Sequence, residues 1–518
     1  MLGIDALDVT VEVDVVPGLP SWTIVGLASS AVREARERVT SALANSGFEV
    51  PSRRVTVNLS PADVRKDGTS FDLPIALALL SATGVLPAEA TRGVIAAGEL
   101  GLDGSIRPIR GALSLARAAS RADATLLVPE ANVPEATLGG SLRVAAAREL
   151  PQVVVGLRTH GASLADADGV AADSAIMSDR SGVAAHAHGS RTPDADAHLD
   201  FADVAGQAMA KRALEIAAAG GHNVLMIGPP GTGKTMLARR LTGILPPLTR
   251  DELLEVVAIH SVGGLIPPGT VPSPTPPFRA PHHTVSLAGL IGGGPGPRPG
   301  EVSLAHRGVL FLDELLELPR HVLDAMRQPM EDGRVVIARA AQAVAYPARF
   351  QLVAAANPCK CGHALSDDGR CQCSAADIDR YRARLSGPLA DRLDLWVHVG
   401  VVEVAALGAA RRAESSAEVR TRVIAARDRQ RMRYASVGGA RSNAEAAGRW
   451  LVAHGGLTAD ARAMLQQAVE RLGISARGFH RAVRVARTIA DLAGCDEVGP
   501  DAVAEAIGYR PPPRASGS

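Results

Sequence analysis

The sequence predicts an α/β protein of several domains, and three observations carry that prediction. The first is Gly228-Pro-Pro-Gly-Thr-Gly-Lys-Thr235, set between the apolar run Asn223-Val-Leu-Met-Ile227 and a helical pattern from Met236 to Leu241. That order reads as strand, glycine loop, helix. The second is Val309-Leu-Phe-Leu312, an apolar run of the kind that forms a buried parallel strand, ending in Asp313 and Glu314. The third is length. The 518 residues exceed what one hydrophobic core holds.

The totals exclude several classes. A hydrophobic fraction of 47% suffices for packed cores, with aromatics at only 3%. Formal net charge is +1, so no global field drives nucleic-acid binding and any basic surface is local. No uncharged apolar run is long enough to span a bilayer, so no membrane partner is expected. The first residues lack the charged and apolar regions of a secretory signal, which predicts a cytoplasmic protein. The five cysteines are then thiols or metal ligands, not disulfides.

The glycine loop has a definite chemistry. A nucleoside triphosphate needs many donors at close range. Gly228, Gly231 and Gly233 let the backbone curl so that N–H groups point at the phosphates. Pro229, Pro230 and Thr232 complete the cradle, and the new helix adds its positive end. Lys234 is placed to reach the terminal phosphates, and Thr235 to put a hydroxyl on Mg²⁺. At the second strand's tip, Asp313 is the further Mg²⁺ candidate and Glu314 the residue to orient a water for attack on the γ-phosphate. Together they predict an ATPase that uses ATP and Mg²⁺.

Taken in order, residues 1–155 read as a compact domain. Val9, Val11, Val13 and Val15 alternate with polar residues, as a half-buried strand does. Helical spacing over residues 30–46 stops at Gly47. Strands are expected over 54–59 and 126–128, a hairpin over 98–104, and helices over 74–83 and 110–122. Lys66-Asp-Gly-Thr-Ser70 and Gly98-Glu-Leu-Gly-Leu-Asp-Gly-Ser-Ile-Arg-Pro-Ile109 resemble the proteolytic domain of the Lon proteases. The resemblance puts Ser70 at the nucleophile position, but the lysine base of that family falls at Leu113. A serine without a base is a poor nucleophile. The expectation is therefore a non-proteolytic Lon-like α+β domain, of the kind also found at the end of the RadA recombination ATPases.

Residues 156–199 carry no aromatic residue and are rich in Ala, Asp, Ser, Gly and His, which predicts a flexible linker. His186, His188 and His198 read as dispersed solvent histidines, with metal binding as the alternative. The motor is expected over residues 200–401. Its segment Asp200 to Gln207 resembles the adenine-packing segment of AAA+ ATPases. Residues 261–300 are dense in Pro and Gly, as a functional insertion is. Phe278-Arg-Ala-Pro-His-His-Thr284, Leu290-Ile-Gly-Gly-Gly294 and Gly300-Glu-Val-Ser-Leu-Ala-His306 closely resemble the Mg-chelatase-like AAA+ ATPases of the YifB/ComM type. That resemblance runs through nearly the whole chain, with an amino end several residues shorter than is usual there.

The resemblance implies further roles. A hairpin over 335–347 would point into a ring pore, with Arg339 near its tip and Arg279 in the insertion as DNA-contact candidates; solvated surface arginines are the alternative. Asn357, after the apolar run 350–356, would be the sensor that helps place the attacking water. Arg392 would be the finger that reaches the γ-phosphate of a neighbouring subunit, so that a homo-oligomeric ring, a hexamer, completes each site. Arg477 would be the second sensor from the lid, with Arg481 as its alternative.

Spacing alone speaks for the cysteines. Cys359, Cys361, Cys371 and Cys373, in an insertion over 359–373, form two close pairs suited to a tetrahedral Zn²⁺, with His363 able to replace one of them. Cys495 reads as a core thiol. Residues 402–518 form a helical lid domain, within which 411–434 carry eight arginines. That helix is either DNA-facing or a solvated face.

The expectation is an ATP-driven, DNA-stimulated ring motor acting on single-stranded or branched DNA. By resemblance it would drive branch migration or helicase-type remodelling of recombination intermediates during DNA uptake. The alternative is a chelatase-like chaperone that remodels a protein partner during metal insertion. A third reading, a protease, requires a base for Ser70.

Overall fold

The computed structural model describes residues 3–140, 142–161, 199–294, 297–339, 342–365, 369–385, 387–402, 414–436 and 439–511. Most of the expected linker lies outside the described residues. The chain divides into two compact units. The first takes the described residues up to 161 together with Arg250–Ser273, and the second takes the described remainder.

In the first unit, Arg54–Ser60 is the central strand of a three-stranded sheet. It pairs antiparallel with Thr10–Val16, Thr10 opposite Ser60, and parallel with Ser21–Val25. Its alternate residues Val55, Val57 and Leu59 are buried, so one face meets the helices Ala35–Asn45 and Asp72–Ala82. Those helices are joined by a fork. Arg38 Nε and Nη2 donate to Asp72 at 2.6 and 2.9 Å, and Asp72 is fully buried. Burial pushes the Asp72 carboxyl above its ordinary value, against the pull of Arg38.

A second, parallel sheet of three strands runs Val94–Ala96, Thr125–Pro129, Val144–Ala147. Its middle strand is buried along its whole length. The helix Leu150–His160 runs straight through residue 155, where the first domain was expected to end.

One element of this unit comes from far along the chain. The helix Arg250–Gly263 packs Val257 and Ala258 against Leu113, and Gly111 N–H donates to Ser261 Oγ at 2.7 Å. Leu113, the position aligned with the Lon lysine, is therefore completely buried in an apolar cluster, its N–H donating to Glu135 at 2.8 Å. Sequence reading placed this helix with the motor, because nothing local signals which core a distant helix joins.

The second unit is built on a five-stranded, all-parallel sheet. Its order is Phe278–Arg279, Val309–Leu312, Gln351–Ala356, Val224–Ile227, Leu395–His398. The Val309–Leu312 and Gln351–Ala356 strands are buried at every residue, as expected of strands covered on both faces. The strand that feeds the glycine loop lies between the strand that ends at Asn357 and the one that follows Arg392. The hairpin pairs Arg334–Arg339 with Gln342–Pro347, antiparallel. Arg339 ends its first strand; its side chain lies outside the described residues.

The C-terminal part is helical: Ser416–Tyr434, Gly448–His454, Ala459–Leu472, Ala476–Leu492 and Pro500–Gly508. Ser415 and Glu418 form a reciprocal cap at the first of these. The arginine-rich helix is more than a solvated face. Its six described arginines are all bonded within the unit: Arg420 to Gly243 O, Arg422 to Glu215 and Glu414, Arg427 to Ala218 O, Arg429 to Asp496, Arg431 to Asp428, and Arg433 to Asp491. Cys495 is exposed and not a core thiol, because it lies in the turn beyond the helix that ends at Leu492. No helix among the described residues is long and apolar enough to cross a membrane.

Candidate functional site

The site gathers at the carboxyl ends of the central strands, where open α/β sheets bind their ligands. Gly228 follows the strand Val224–Ile227, Asp313 follows Val309–Leu312, and Asn357 follows Gln351–Ala356. Gly231 and Gly233 hold φ of +79° and +85°, a left-handed region that side chains disfavour. Lys234 opens the helix Lys234–Ile244, its side chain largely buried. Its Nζ donates to Gly228 O at 2.7 Å and Pro229 O at 2.8 Å, and reaches Asn357 Oδ1 at the outer limit of 3.5 Å. Burial pushes the Lys234 ammonium below its ordinary value, against the pull of Asp313 and Glu314.

Thr235 Oγ1 donates to Asp313 Oδ2 at 2.7 Å, so the two Mg²⁺ candidates are adjacent. A hydroxyl and a carboxylate side by side are hard oxygen donors, which suits a Mg²⁺ that keeps its waters and shares phosphate oxygens. Thr232 Oγ1 closes the loop on Pro229 O at 2.9 Å. Thus the loop, Lys234, Thr235, Asp313 and Asn357 come together in one chain. Glu314 follows at the same edge, with a left-handed φ of +50°.

The arginines fall elsewhere. Arg392 pairs with Glu331 and donates to Pro388 O, and its buried Nε has no partner. Burial pushes Arg392 below its ordinary value, with the neighbouring charges of Arg477 and Arg327 adding to the effect. Arg477 is exposed and stands 3.5 Å from Asp391. Arg481 is buried, reaches Asp391 at 3.3 Å, and keeps Nε and Nη1 without a partner. Arg279 is ion-paired: its guanidinium forks onto Glu301 at 2.7 and 2.8 Å.

The cysteines converge. All four Sγ atoms lie within 4.8 Å of one another. Cys359 is 3.3 Å from Cys361 and 3.8 Å from Cys371, and Cys361 is 3.7 Å from Cys371. A tetrahedron of thiolates with Zn–S arms of about 2.3 Å has edges of about 3.8 Å, so the donor set fits that ion. The Cys361 thiol is pulled down to about 6 by the His363 backbone N–H and by Cys359, while desolvation and the neighbouring thiols push Cys371 up to about 11 and Cys373 above its ordinary value. A thiolate is the form a metal takes. The turn at Gly362 sits against the phosphate loop, where an added Cβ would meet Pro230 Cδ at 2.7 Å.

Two residues make contacts that their local sequence does not signal. Asn223 ties the strand ends together: its N–H donates to Asp394 Oδ2 at 3.1 Å, Nδ2 to Arg392 O at 2.9 Å, and Oδ1 accepts from Leu352 N–H at 2.8 Å. Gln207, at φ +54°, donates from Nε2 to Gly400 O at 2.7 Å beside the loop. Apart from Thr232 O, 3.4 Å from Gln207 Nε2, their partners are more than 100 residues away, beyond the reach of any short motif.

Comparison with known proteins agrees with this arrangement. Residues 11–132 match the family model for subunit ChlI of Mg-chelatase, residues 200–407 that for magnesium chelatase subunit ChlI, and residues 413–510 that for the ChlI C-terminal part. The YifB protein of Salmonella typhimurium is 42% identical over 98% of this chain and 95% of its own length. The chain belongs to the YifB/ComM family of magnesium-chelatase-like proteins. Competence protein ComM of Haemophilus influenzae, in the same family, is 41% identical over 98% of this chain and 96% of its own. The magnesium-chelatase 38 kDa subunit of Rhodobacter capsulatus is 30% identical but matches only 30% of this chain. YifB/ComM proteins are thus AAA+ family members related to the chelatase subunit, and this chain covers 95% of the Salmonella protein and 96% of the Haemophilus one.

Proposed function

We propose that the chain is a ring-forming ATPase that works on DNA, remodelling branched or single-stranded recombination intermediates during DNA uptake. One observation carries the DNA assignment: similarity to the competence protein runs over 98% of the chain, whereas similarity to the chelatase subunit covers 30%. In the mechanism, Lys234 and the loop N–H groups hold the triphosphate, and Thr235 and Asp313 hold Mg²⁺. The ion, when bound, neutralises charge on the phosphates. Glu314 orients the water, with Asn357 beside it, and Arg392 of one subunit serves the site of the next in a hexamer. Arg477, or the better buried Arg481, senses phosphate from the helical lid.

The domain reading is a Lon-like domain that runs from the amino end through the helix closing at His160 and takes in Arg250–Ser273, a linker up to 199, a motor over the rest of 200–401 and a lid over 402–518. Leu113, sealed under the helix Arg250–Gly263, supports a Lon-like domain without protease activity. The four cysteines hold Zn²⁺ and brace the turn that leans on Pro230. The test is ATP turnover with and without single-stranded, duplex and branched DNA, using Lys234→Ala as the inactive control. Stimulation by branched or single-stranded DNA is expected, and its absence across all three refutes the reading. A chelatase-like chaperone would instead show stimulation by a protein partner.

A further inference from the structure

His222 is fully buried, and nucleotide binding as described above gives it no part. It follows the left-handed Gly221, at φ +74°, and stands two residues before the strand Val224–Ile227 that feeds the phosphate loop. The ring is packed tightly from the preceding helix. A Cβ added at Gly220 would stand 2.2 Å from His222 Nε2 and 2.6 Å from Thr488 Oγ1, so the close approach needs a glycine there.

The two ring nitrogens face different elements. Nε2 lies 2.8 Å from Oγ1 of Thr488, on the lid helix Ala476–Leu492. Nδ1 makes no hydrogen bond among the described residues and stands 3.6 Å from Asp394 Oδ2. Asp394 is buried too, and accepts the Asn223 N–H at 3.1 Å. Burial pushes its carboxyl up, but the His222 imidazole, the Arg484 charge and the Asn223 N–H hold it below its ordinary value. A ring nitrogen that faces a carboxylate carries a proton, and the partner on the other nitrogen fixes the ring's orientation.

What lies beyond this contact is the approach to Arg392. Asn223 Nδ2 donates to Arg392 O at 2.9 Å, and Asn223 O receives the N–H groups of Asp394 and Leu395 at 2.9 and 3.0 Å. From the lid helix, Arg481 Nη2 reaches Asp391 at 3.3 Å. Residues 391–395 are therefore gripped between His222-Asn223 and the helix that carries Thr488. The Arg392 guanidinium is less firmly held, with the exposed Glu331 as its ion-pair partner. A side chain that must meet a phosphate within about 0.5 Å depends on a fixed backbone beneath it.

We propose that His222 is a positioning residue for Arg392. It ties Asp394, at the foot of the strand Leu395–His398, to Thr488 on the lid helix, and so fixes the backbone from which Arg392 reaches the neighbouring subunit's phosphate. The tie stands on the contacts alone; its service to the neighbouring site rests on the finger role proposed above for Arg392.

The experiment measures steady-state ATP turnover by the full chain, alone and in mixed rings. His222→Gln keeps an amide at the reach of Nε2 and loses the group that faces Asp394; His222→Asn does the opposite. His222→Gln lowers kcat about tenfold, the size of one hydrogen bond to a charged group, and leaves KM for ATP unchanged, whereas His222→Asn stays within about threefold of wild type. Asp394→Asn cuts the same tie from its other end and matches His222→Gln.

Rings assembled from equal amounts of His222→Gln and Lys234→Ala chains separate positioning from damage. A Lys234→Ala chain cleaves nothing but carries a sound Arg392, so half of the His222→Gln sites gain a correctly held finger. Turnover per His222→Gln chain then rises about fivefold, and that of Arg392→Ala, mixed in the same way, rises by more. A folding defect, or a fault confined to the chain's own nucleotide site, is not mended by a neighbour. Recovery in both mixtures upholds the proposal. Recovery of Arg392→Ala alone, or an unchanged kcat in both His222→Gln and Asp394→Asn, overturns it and leaves the finger role standing. So does a loss in His222→Asn as large as that in His222→Gln, because the link would then not run through Asp394. Arg392→Ala unrecovered in its mixture overturns the finger role, and the service of His222 to it falls as well.

Discussion

Replacing Asp491 by Asn tests what holds the C-terminal helices to the nucleotide-binding sheet. Asp491 is fully buried and receives four donors: Arg433 Nη1 at 2.9 Å and its Nη2, Arg487 Nη2 at 3.0 Å, and Asn443 Nδ2 at 2.9 Å. Asn443 also donates to Thr488 Oγ1 at 2.9 Å, which lies 2.8 Å from Nε2 of His222, the residue before Asn223. The substitution keeps the shape but leaves two largely buried guanidiniums without a counter-charge. Summing four bonds to a charged group at about 1.5–3 kcal/mol each overshoots, because the groups relax and share partners. Breaking a buried ion pair costs about 3–5 kcal/mol, and that is the expected loss. At about 2–4 °C per kcal/mol for a domain of this size, the transition falls by about 6–20 °C. The assay is calorimetric unfolding, with the second unit recognised as the transition that ATP raises. The exposed pair Arg431–Asp428 is the control, and Asp428→Asn moves that transition by less than about 0.5 kcal/mol. A fall of less than about 2 °C in Asp491→Asn refutes the reasoning.

Three further outcomes are expected. Arg38→Ala leaves the Asp72 carboxylate buried without its cation and destabilises the first unit by about 3–5 kcal/mol, read as a lower transition that ATP does not move. Glu314→Gln retains nucleotide binding, measured by fluorescent-analogue titration, while turnover falls by about 10²–10⁴; retained turnover removes Glu314 from its role. Metal analysis of the purified chain finds one Zn²⁺ per polypeptide, and Cys371→Ser lowers that content to well below half; zinc-free wild type refutes the cysteine site.

The nucleotide loop and its partner strand were legible because each is a short, contiguous pattern whose neighbours fix its context. Gly228 to Thr235 and Val309 to Glu314 need no distant information to be placed on strand ends. The cysteine cluster was legible for the same reason, since two close pairs need only a short loop to meet. What the sequence hid depends on distant partners. The arginines of Ser416–Tyr434 look like a basic surface until Glu215, Ala218 and Asp491 are seen to receive them. Arg279 looks free until Glu301 is found 22 residues on, holding it in a fork. His283 is conspicuous in the sequence, yet its contact with Glu314 joins two segments whose spacing repeats no motif.

The excursion of Arg250–Gly263 has a practical consequence for anyone dissecting the protein. The chain quits the nucleotide-binding unit after Thr249, contributes a helix to the other core, and comes back at Pro274. A cut near residue 200 would therefore yield a carboxyl fragment carrying an orphan helix, with Val257 and Ala258 stripped of their cover. The matching amino fragment would have a groove where that helix belongs. Clean separation calls for excising 250–273 and bridging the gap, or supplying that peptide in trans to the amino half.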